Sequence, residues 1–312
     1  MISEHVSEWL GFPVKEYREE DSQKNIQVSG DTIYRLTLDY DAEGTFEELL
    51  ANFLKNPGVE QLHGIIIGQF FGDDPSGASA QAVQALAAAS SQLPNLRAIF
   101  LGEMISEECE ISWINHDNVF PLLAAYPGLE HLRIRGGSGL RLGRGARHQK
   151  LKSLTIETGG LDRVIFNEAI NGDFPVLEHL ELWLGSDNYG GSVTIADLRP
   201  LLSGQLFPRL RYLGLRDAED IDEIAAVIGS APILDRILTL DLSLGNLSDE
   251  GGRALLGSDR LKRLRTLDLH HHYLSDEVMD ELKAEYPNAD LSDQKQSDED
   301  GDETYRYIAV SE

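Results

Sequence analysis

Residues 237–269 read ILTLDLSLGNLSDEGGRALLGSDRLKRLRTLDL, and how they are read decides the fold. Apolar residues at Ile237, Leu240 and Leu242 are followed by a polar turn and a stretch of helical character. The same apolar phrase then returns at Leu264, Leu267 and Leu269. The last two apolar positions of each phrase stand two apart, so they share one face of a strand. The first lies in the turn leading into that strand and also points inward. Ser248-Asp249-Glu250, between the phrases, sets a capping serine ahead of acids, which favour the positive end of a helix. A unit of one strand and one helix cannot bury both of its sides alone, so its stability has to come from neighbours.

The phrase recurs along the chain. Its apolar triplets are Ile33/Leu36/Leu38, Leu62/Ile65/Ile67, Leu96/Ile99/Leu101, Leu129/Leu132/Ile134 and Leu151/Leu154/Ile156. They continue as Leu177/Leu180/Leu182, Leu210/Leu213/Leu215, Ile237/Leu240/Leu242 and Leu264/Leu267/Leu269. Helical patterns fill residues 45–55, 78–92, 162–170, 221–228 and 275–286. Thr45 with Glu48 has capping-box spacing, and Ser275-Asp276-Glu277 repeats the serine-then-acid start. Pro94, Pro127 and Pro208 stop a helix just before the next strand. The expectation is an α/β solenoid of nine strand–helix repeats. Helices are wider than strands, so the stack should curve, with a parallel sheet on its concave face.

LEHLRI, LEHLEL, LRYLGL, ILTLDLSLGNLSDEGGRALL and LRTLDL resemble the ribonuclease-inhibitor-like class of leucine-rich repeats, a likeness carried by residues 33–291. GFPV with YRLTLDYDAEGTFEELL near the start, and YRYIAVSE at the close, are similar to a bacterial leucine-rich-repeat family with no assigned activity. The resemblance implies a leucine-rich-repeat solenoid and brings no catalytic residue with it. The asparagine that such repeats place three residues beyond the strand is absent from almost every copy, and Asn246 sits one place late. Irregular turns are expected.

Composition narrows the setting. The 312 residues hold one cysteine, Cys109, so no intrachain disulfide forms. No apolar run approaches the ~20 residues of a membrane span, and the start, MISEHVSEWLGFPV, lacks the basic flank of a signal peptide. A cytoplasmic protein is expected. The net charge of -26 opposes nucleic-acid backbones and anionic membranes, so neither is an expected partner, and it favours basic proteins. Solubility of an elongated surface, or a salty cytoplasm, explains the same charge without any partner.

Residues 1–32, with Trp9, Leu10, Phe12, Val14, Ile26 and Val28, read as a cap over the open end of the solenoid at 33–291. Residues 292–312 form an acidic tail. Its SDQKQSDEDGDE stretch has no apolar residue and reads as disordered, while the terminal TYRYIAVSE is apolar enough to dock. Between the fourth and fifth phrases no helix is expected. There the basic loop 133–152 offers Arg141, Arg144 and Arg147, beside glycines, as a candidate anion site; the alternative pairs these bases with acids next door. His270-His271-His272 cannot all reach one ion from a strand-turn, so no metal and no cofactor is expected.

No nucleophile elbow, HExxH or CxxC is present, and the reading is non-catalytic. A protein-binding module that uses the concave face is expected. Its alternatives are an acidic inhibitor or chaperone of a basic protein, or an anion and phosphate sensor through the basic loop. Outward positions in the second and third repeats are small and apolar, and are expected to be covered by the chain itself. The fourth to seventh gather His131, Arg133, Arg135, His179, Glu181, Trp183, Tyr212 and Arg216. Tryptophan, tyrosine and arginine dominate interface hot spots, so these eight are the candidate partner-binding residues. A structural alternative stacks Trp183 on Tyr212 and pairs the charges around them.

Overall fold

The computed structural model describes residues 1–72, 77–301 and 303–311. The chain divides into two units, one of residues 1–157 with 171–175, the other of 158–170 with 176–311. The first unit opens with an antiparallel hairpin, β1 (Glu8–Trp9) and β2 (Phe12–Tyr17). From β2 onward neighbouring strands run parallel and in chain order: β3 (Ile33–Leu36), β4 (Gly64–Ile67), β5 (Ala98–Leu101), β6 (His131–Arg135) and β7 (Ser153–Glu157). Its helices are α1 (Phe46–Phe53), α2 (Ala78–Ala88) and α3 (Phe120–Ala125).

The second unit repeats the scheme. Its helices are α4 (Arg163–Ile170), α5 (Ile195–Leu202), α6 (Ile221–Ile228), α7 (Asp249–Leu255) and α8 (Asp276–Glu285). Parallel strands β8 (His179–Gly185), β9 (Tyr212–Ala218), β10 (Thr239–Asp241), β11 (Thr266–Asp268) and β12 (Ala289–Asp290) again run in chain order. No helix among the described residues is long and apolar enough to cross a membrane.

Every apolar phrase falls on a strand, β3 to β11, and the parallel pairing extends past them to β2 in the first unit and β12 in the second. Register explains why. Leu180 pairs with Leu213, which pairs with Leu240, which pairs with Leu267, so identical positions stack strand on strand with at most 1% exposure. Burying such side chains is worth about 1.5–3 kcal/mol each, which makes any other register costly. The first phrase is shifted. Tyr34 pairs with Ile65 and Leu36 with Ile67, so Tyr34/Leu36 align with the inward pair of the next strand, while Leu38, 2% exposed, is inward as well, one step further along. Ile33 instead lies on the outer face with Ile66 and Phe100, because its partner in β2 is Val14.

Helix starts agree with the sequence. Glu48 N–H donates to Thr45 Oγ1 (3.2 Å) and Thr45 N–H to Glu48 Oε2 (3.0 Å), closing the capping box of α1. Ser248 and Ser275 cap α7 and α8. Each capping serine also donates its backbone N–H to an acid on the preceding helix, Ser248 to Asp222 (2.8 Å) and Ser275 to Asp249 (2.7 Å). Part of the acidic excess thus ties one repeat of the stack to the next.

The turns are the unforeseen feature. Gly136, Asp217, Leu244, His271 and Asp293 each stand two residues beyond the last inward apolar residue of their strand, and all have positive φ, from 52° to 100°. Gly136, Asp217, Leu244 and His271 donate their N–H to a carbonyl of the next turn: Glu157, Ser243, His270 and Ser292, at 2.8–3.1 Å. A left-handed residue bonded to its neighbour replaces the asparagine of the resembled repeats. The chain end crosses these turns: Ala309 N–H donates to Leu244 O (2.8 Å), Val310 N–H to Asp217 Oδ1 (2.9 Å), and His271 Nε2 lies 3.3 Å from Tyr307 O. Between β12 and this segment, β13 (Asp298–Asp300), within the acidic stretch that reads as disordered by composition, pairs antiparallel with β14 (Glu303–Tyr305), which spans the end of that stretch and the start of the terminal segment. A glycine of positive φ, Gly301, turns the chain between them.

Candidate functional site

On the outer face of the second unit, β8 presents His179, Glu181 and Trp183, and β9 presents Tyr212, Gly214 and Arg216, each opposite its counterpart. One strand further, Asp241 of β10 stands opposite Gly214. The missing side chain at Gly214 makes room for a polar network. A Cβ there would lie 3.1 Å from both Glu181 Cγ and the Tyr212 ring. The vacant rung lets side chains of β9 reach over it to carboxylates on either side.

Arg216 bridges them: its Nη1 is 2.9 Å from Glu181 Oε1 and its Nε 3.2 Å from Asp241 Oδ2, with a further bond from Nε to Ser243 Oγ at 2.9 Å. Tyr212 Oη donates to Asp241 Oδ2 (2.6 Å) and approaches Glu181 Oε2 (3.3 Å). The Trp183 indole N–H donates to Glu181 Oε1 (2.8 Å), and Arg216 lies over the Trp183 ring at 5.3 Å. His179 stacks on Tyr212, centroids 3.9 Å apart and planes 12° from parallel, with its Nε2 3.3 Å from Glu181 Oε2. Trp183 and Tyr212 do not stack on each other. Trp183 goes under Arg216, and Tyr212 takes histidine instead.

This wiring sets the charge states. Burial works to raise the Glu181 pKa, but the His179 bond, the Arg216 charge and the Trp183 N–H outweigh it and hold the carboxyl well below its usual range. Burial, with the neighbouring Glu181 and Asp241 charges, drives the Tyr212 hydroxyl far up, so it stays a neutral donor. Burial works against the Arg216 charge, yet Asp241 and Glu181 hold its pKa above the ordinary value. The result is a rigid polar floor under a half-buried His179–Tyr212 pair. Trp183, 6% exposed, belongs to the floor.

The other three candidates lie in the first unit. Arg133 and Arg135 both engage Glu157 of the paired strand, Arg135 Nε at 2.7 Å, and both guanidinium groups sit over the Phe100 ring at 4.5 and 5.3 Å. Arg135 also donates to Met104 O (2.6 Å) and is 3% exposed; His131 and Arg133 remain half-buried. The apolar outer positions Ile66 and Phe100 are covered by Val6, Trp9, Phe12 and Val14 of the N-terminal segment, with the Trp9 ring 5.8 Å from Phe100.

Sequence reasoning overlooked a second buried guanidinium centre here. Arg35, 2% exposed, contacts Glu103 (2.5 Å), Glu16 (2.7 Å) and Glu108 (2.9 Å), and Glu103 also accepts from Val6 N–H (3.0 Å). Only the register Glu16–Arg35 was open to inference from sequence; the other partners lie 68 and 73 residues away.

The basic loop packs inward through Leu140, Leu142 and Ala146, each at most 1% exposed, in place of a helix. Arg141, Arg144 and Arg147 are exposed, and none makes an ion pair among the described residues. The three histidines part company. His270 Nδ1 lies 2.7 Å from Asp268 Oδ1, and His271 turns to Tyr307. His272 is fully buried, with Nε2 3.0 Å from Leu291 O. Cys109 is half-buried, and burial beside Glu110 and Glu108 pushes its thiol up to about 11.

A crystal structure of a protein from Bacteroides fragilis, a structural-genomics target, is similar to this chain. The two share 30% identity, the match covers 88% of this chain and 77% of that one, and the TM-score is 0.76. No protein-family model matches the chain. No curated protein matches it either. The chain belongs to the family of that Bacteroides fragilis protein.

Proposed function

We propose that this member of the family is a non-catalytic, protein-binding leucine-rich-repeat protein, and that its partner docks on the outer strand face of the second unit. The observation that supports the reading is the His179–Tyr212 stack, half-buried on the network of Glu181, Arg216 and Asp241. Groups already locked in one rotamer lose little freedom on association, so a preformed platform converts contact into affinity efficiently. Tyrosine and arginine are also the residue types that anchor interfaces. His179, Tyr212 and the exposed edge of Arg216 make the contact; Glu181 and Trp183 hold them in place. A net charge of -26 favours a partner with a basic face.

The test places a photo-cross-linking residue at position 179, and in a second protein at Ala226, exposed on α6. The partner should be captured from position 179 and not from 226. Tyr212→Ala should then weaken binding by about 2 kcal/mol, and affinity should fall as salt rises. Equal capture from both positions, or unchanged affinity in Tyr212→Ala, would remove this face as the docking site.

A further inference from the structure

Carboxylates on the outer strand face are closed by guanidinium groups of the same chain. Glu16 on β2 has Arg35, Glu157 on β7 has Arg135, and Glu181 on β8 and Asp241 on β10 share Arg216. The last two strands depart from this pattern. Asp268 on β11 stands directly opposite Asp290 on β12, an arrangement in which like charges repel. Neither has a lysine or arginine within ion-pair distance among the described residues. What the pair does have is His270, two residues beyond Asp268 and on the same face, with Nδ1 2.7 Å from Asp268 Oδ1. One donor atom from each of Asp268, His270 and Asp290 lies within 4.8 Å of the other two.

We propose that Asp268, His270 and Asp290 form a site for a borderline divalent transition-metal ion, with zinc(II) as the ion to test. A metal ion there would do what Arg216 does two strands earlier, bridging two carboxylates that accept backbone N–H groups but have no guanidinium or ammonium partner among the described residues. The imidazole decides between a metal and a partner's guanidinium. Its ring nitrogen, once it gives up the proton shared with Asp268, is a good ligand for zinc and its neighbours in the transition series, whereas an arginine would meet a further donor there in place of an acceptor. It also argues against magnesium or calcium, which take shells of oxygen. Ligands at about 2.0–2.2 Å from zinc stand roughly 3.3–3.6 Å apart in a tetrahedral shell. Asp268 and His270 are held closer than that by a hydrogen bond, whose proton a bound metal ion displaces as the two atoms part by roughly 0.6–0.9 Å. Asp290 is exposed and accepts the Ser292 backbone N–H at 2.9 Å, so its carboxylate leaves that bond, or offers its other oxygen, and moves roughly 1–1.5 Å to join the shell. Water completes the coordination. The exclusion of a metal from the histidine run rested on three adjacent residues sharing one ion; here one histidine joins acids from two strands.

The experiment titrates chelator-stripped full-length protein with zinc against a chromogenic zinc indicator, with calorimetry for stoichiometry. One equivalent should bind. Asp268→Asn, His270→Gln and Asp290→Asn should each weaken it at least tenfold, while Cys109→Ser and His271→Gln leave it unchanged. Far-ultraviolet dichroism confirms that the variants remain folded, and cobalt(II), substituted for zinc, should give a visible absorption band that His270→Gln abolishes. The proposal is overturned if the parent binds no zinc, if the three variants bind like the parent, or if binding follows Cys109. A shift of the His270 resonance on adding N-acetylarginine amide, with none on adding zinc, would also overturn it and assign the pair to a partner's arginine.

Discussion

Arg216→Ala is the sharpest perturbation the second unit offers. It leaves Glu181 and Asp241, 8% and 5% exposed, on either side of Gly214 without the cation that bridges them. Removing one partner of a buried ion pair costs about 3–5 kcal/mol. The Arg216 side chain is itself 16% exposed, which lets water into the gap and places the loss near the lower end, about 3 kcal/mol at pH 7. Loss of the contact with the Trp183 ring adds about 0.5–1 kcal/mol. Arg216→Lys keeps the charge but not the fork that reaches two carboxylates and Ser243 together, so its loss should be intermediate. The effect has a pH signature. The folded-state pKa of Glu181 is depressed, so the stability it contributes is present above its unfolded value of about 4.3 and fades as pH falls towards the folded value. Without Arg216 much of that depression is gone, so the gap between parent and variant should be widest near neutrality and narrow below pH ~4. Urea denaturation at pH 7 and pH 3.5, followed by Trp183 fluorescence in a Trp9→Phe/Trp113→Phe background, measures both values. A gap below about 1 kcal/mol at pH 7, or one of equal size at both pH values, would refute the reasoning.

Two further outcomes are expected from the same structure. Asp217 is fully buried with one carboxylate oxygen unpartnered, and burial raises its pKa far above the usual range. A raised carboxyl costs stability as pH climbs from about 3.9, so Asp217→Asn should melt higher than the parent at pH 8 and no higher at pH 4; a lower melting temperature at pH 8 would contradict this. Trp9→Ala should uncover Ile66 and Phe100 and cost about 2 kcal/mol, less than the range for a fully buried tryptophan. Amide exchange should then quicken in β3 to β5, and unchanged protection at Phe100 would show that the N-terminal segment does not shield this face.

The apolar phrases, helices and helix caps were legible because each is a local pattern: a two-residue alternation, a 3.6-residue period, a serine just ahead of acids. In the first phrase Leu36 and Leu38 are both buried, but the residues that align with Ile65 and Ile67 are Tyr34 and Leu36, and only the bonded register with β4 could show it. The outer face was legible as a set of positions but not as a surface. The identities of Trp183 and Arg135 say nothing of burial, which is fixed by partners on other strands and turns: Arg216 for one, Glu157 and Met104 O for the other. Polar residues that alternate with leucines read as exposed. Here many are tied to charges 22 to 73 residues away, a distance over which no local pattern carries information.

The turns press the same point further. Asp217, Leu244, His271 and Asp293 share a left-handed backbone but no side-chain chemistry, so no motif could mark them. A leucine there is strained by roughly 1–2 kcal/mol, and nothing in its own side chain offsets that. The compensation is external: Asp217, Leu244 and His271 each donate a backbone N–H to the following turn, and the chain end bonds back to Asp217 and Leu244. Orphaned buried N–H groups cost about 1–3 kcal/mol, so a turn that left its left-handed conformation would strand its own donor and its neighbour's acceptor together. Each turn is therefore held by the next. Asn246, one place late for the asparagine device, is no defect, because the ladder of turns already does what that side chain does in the resembled repeats.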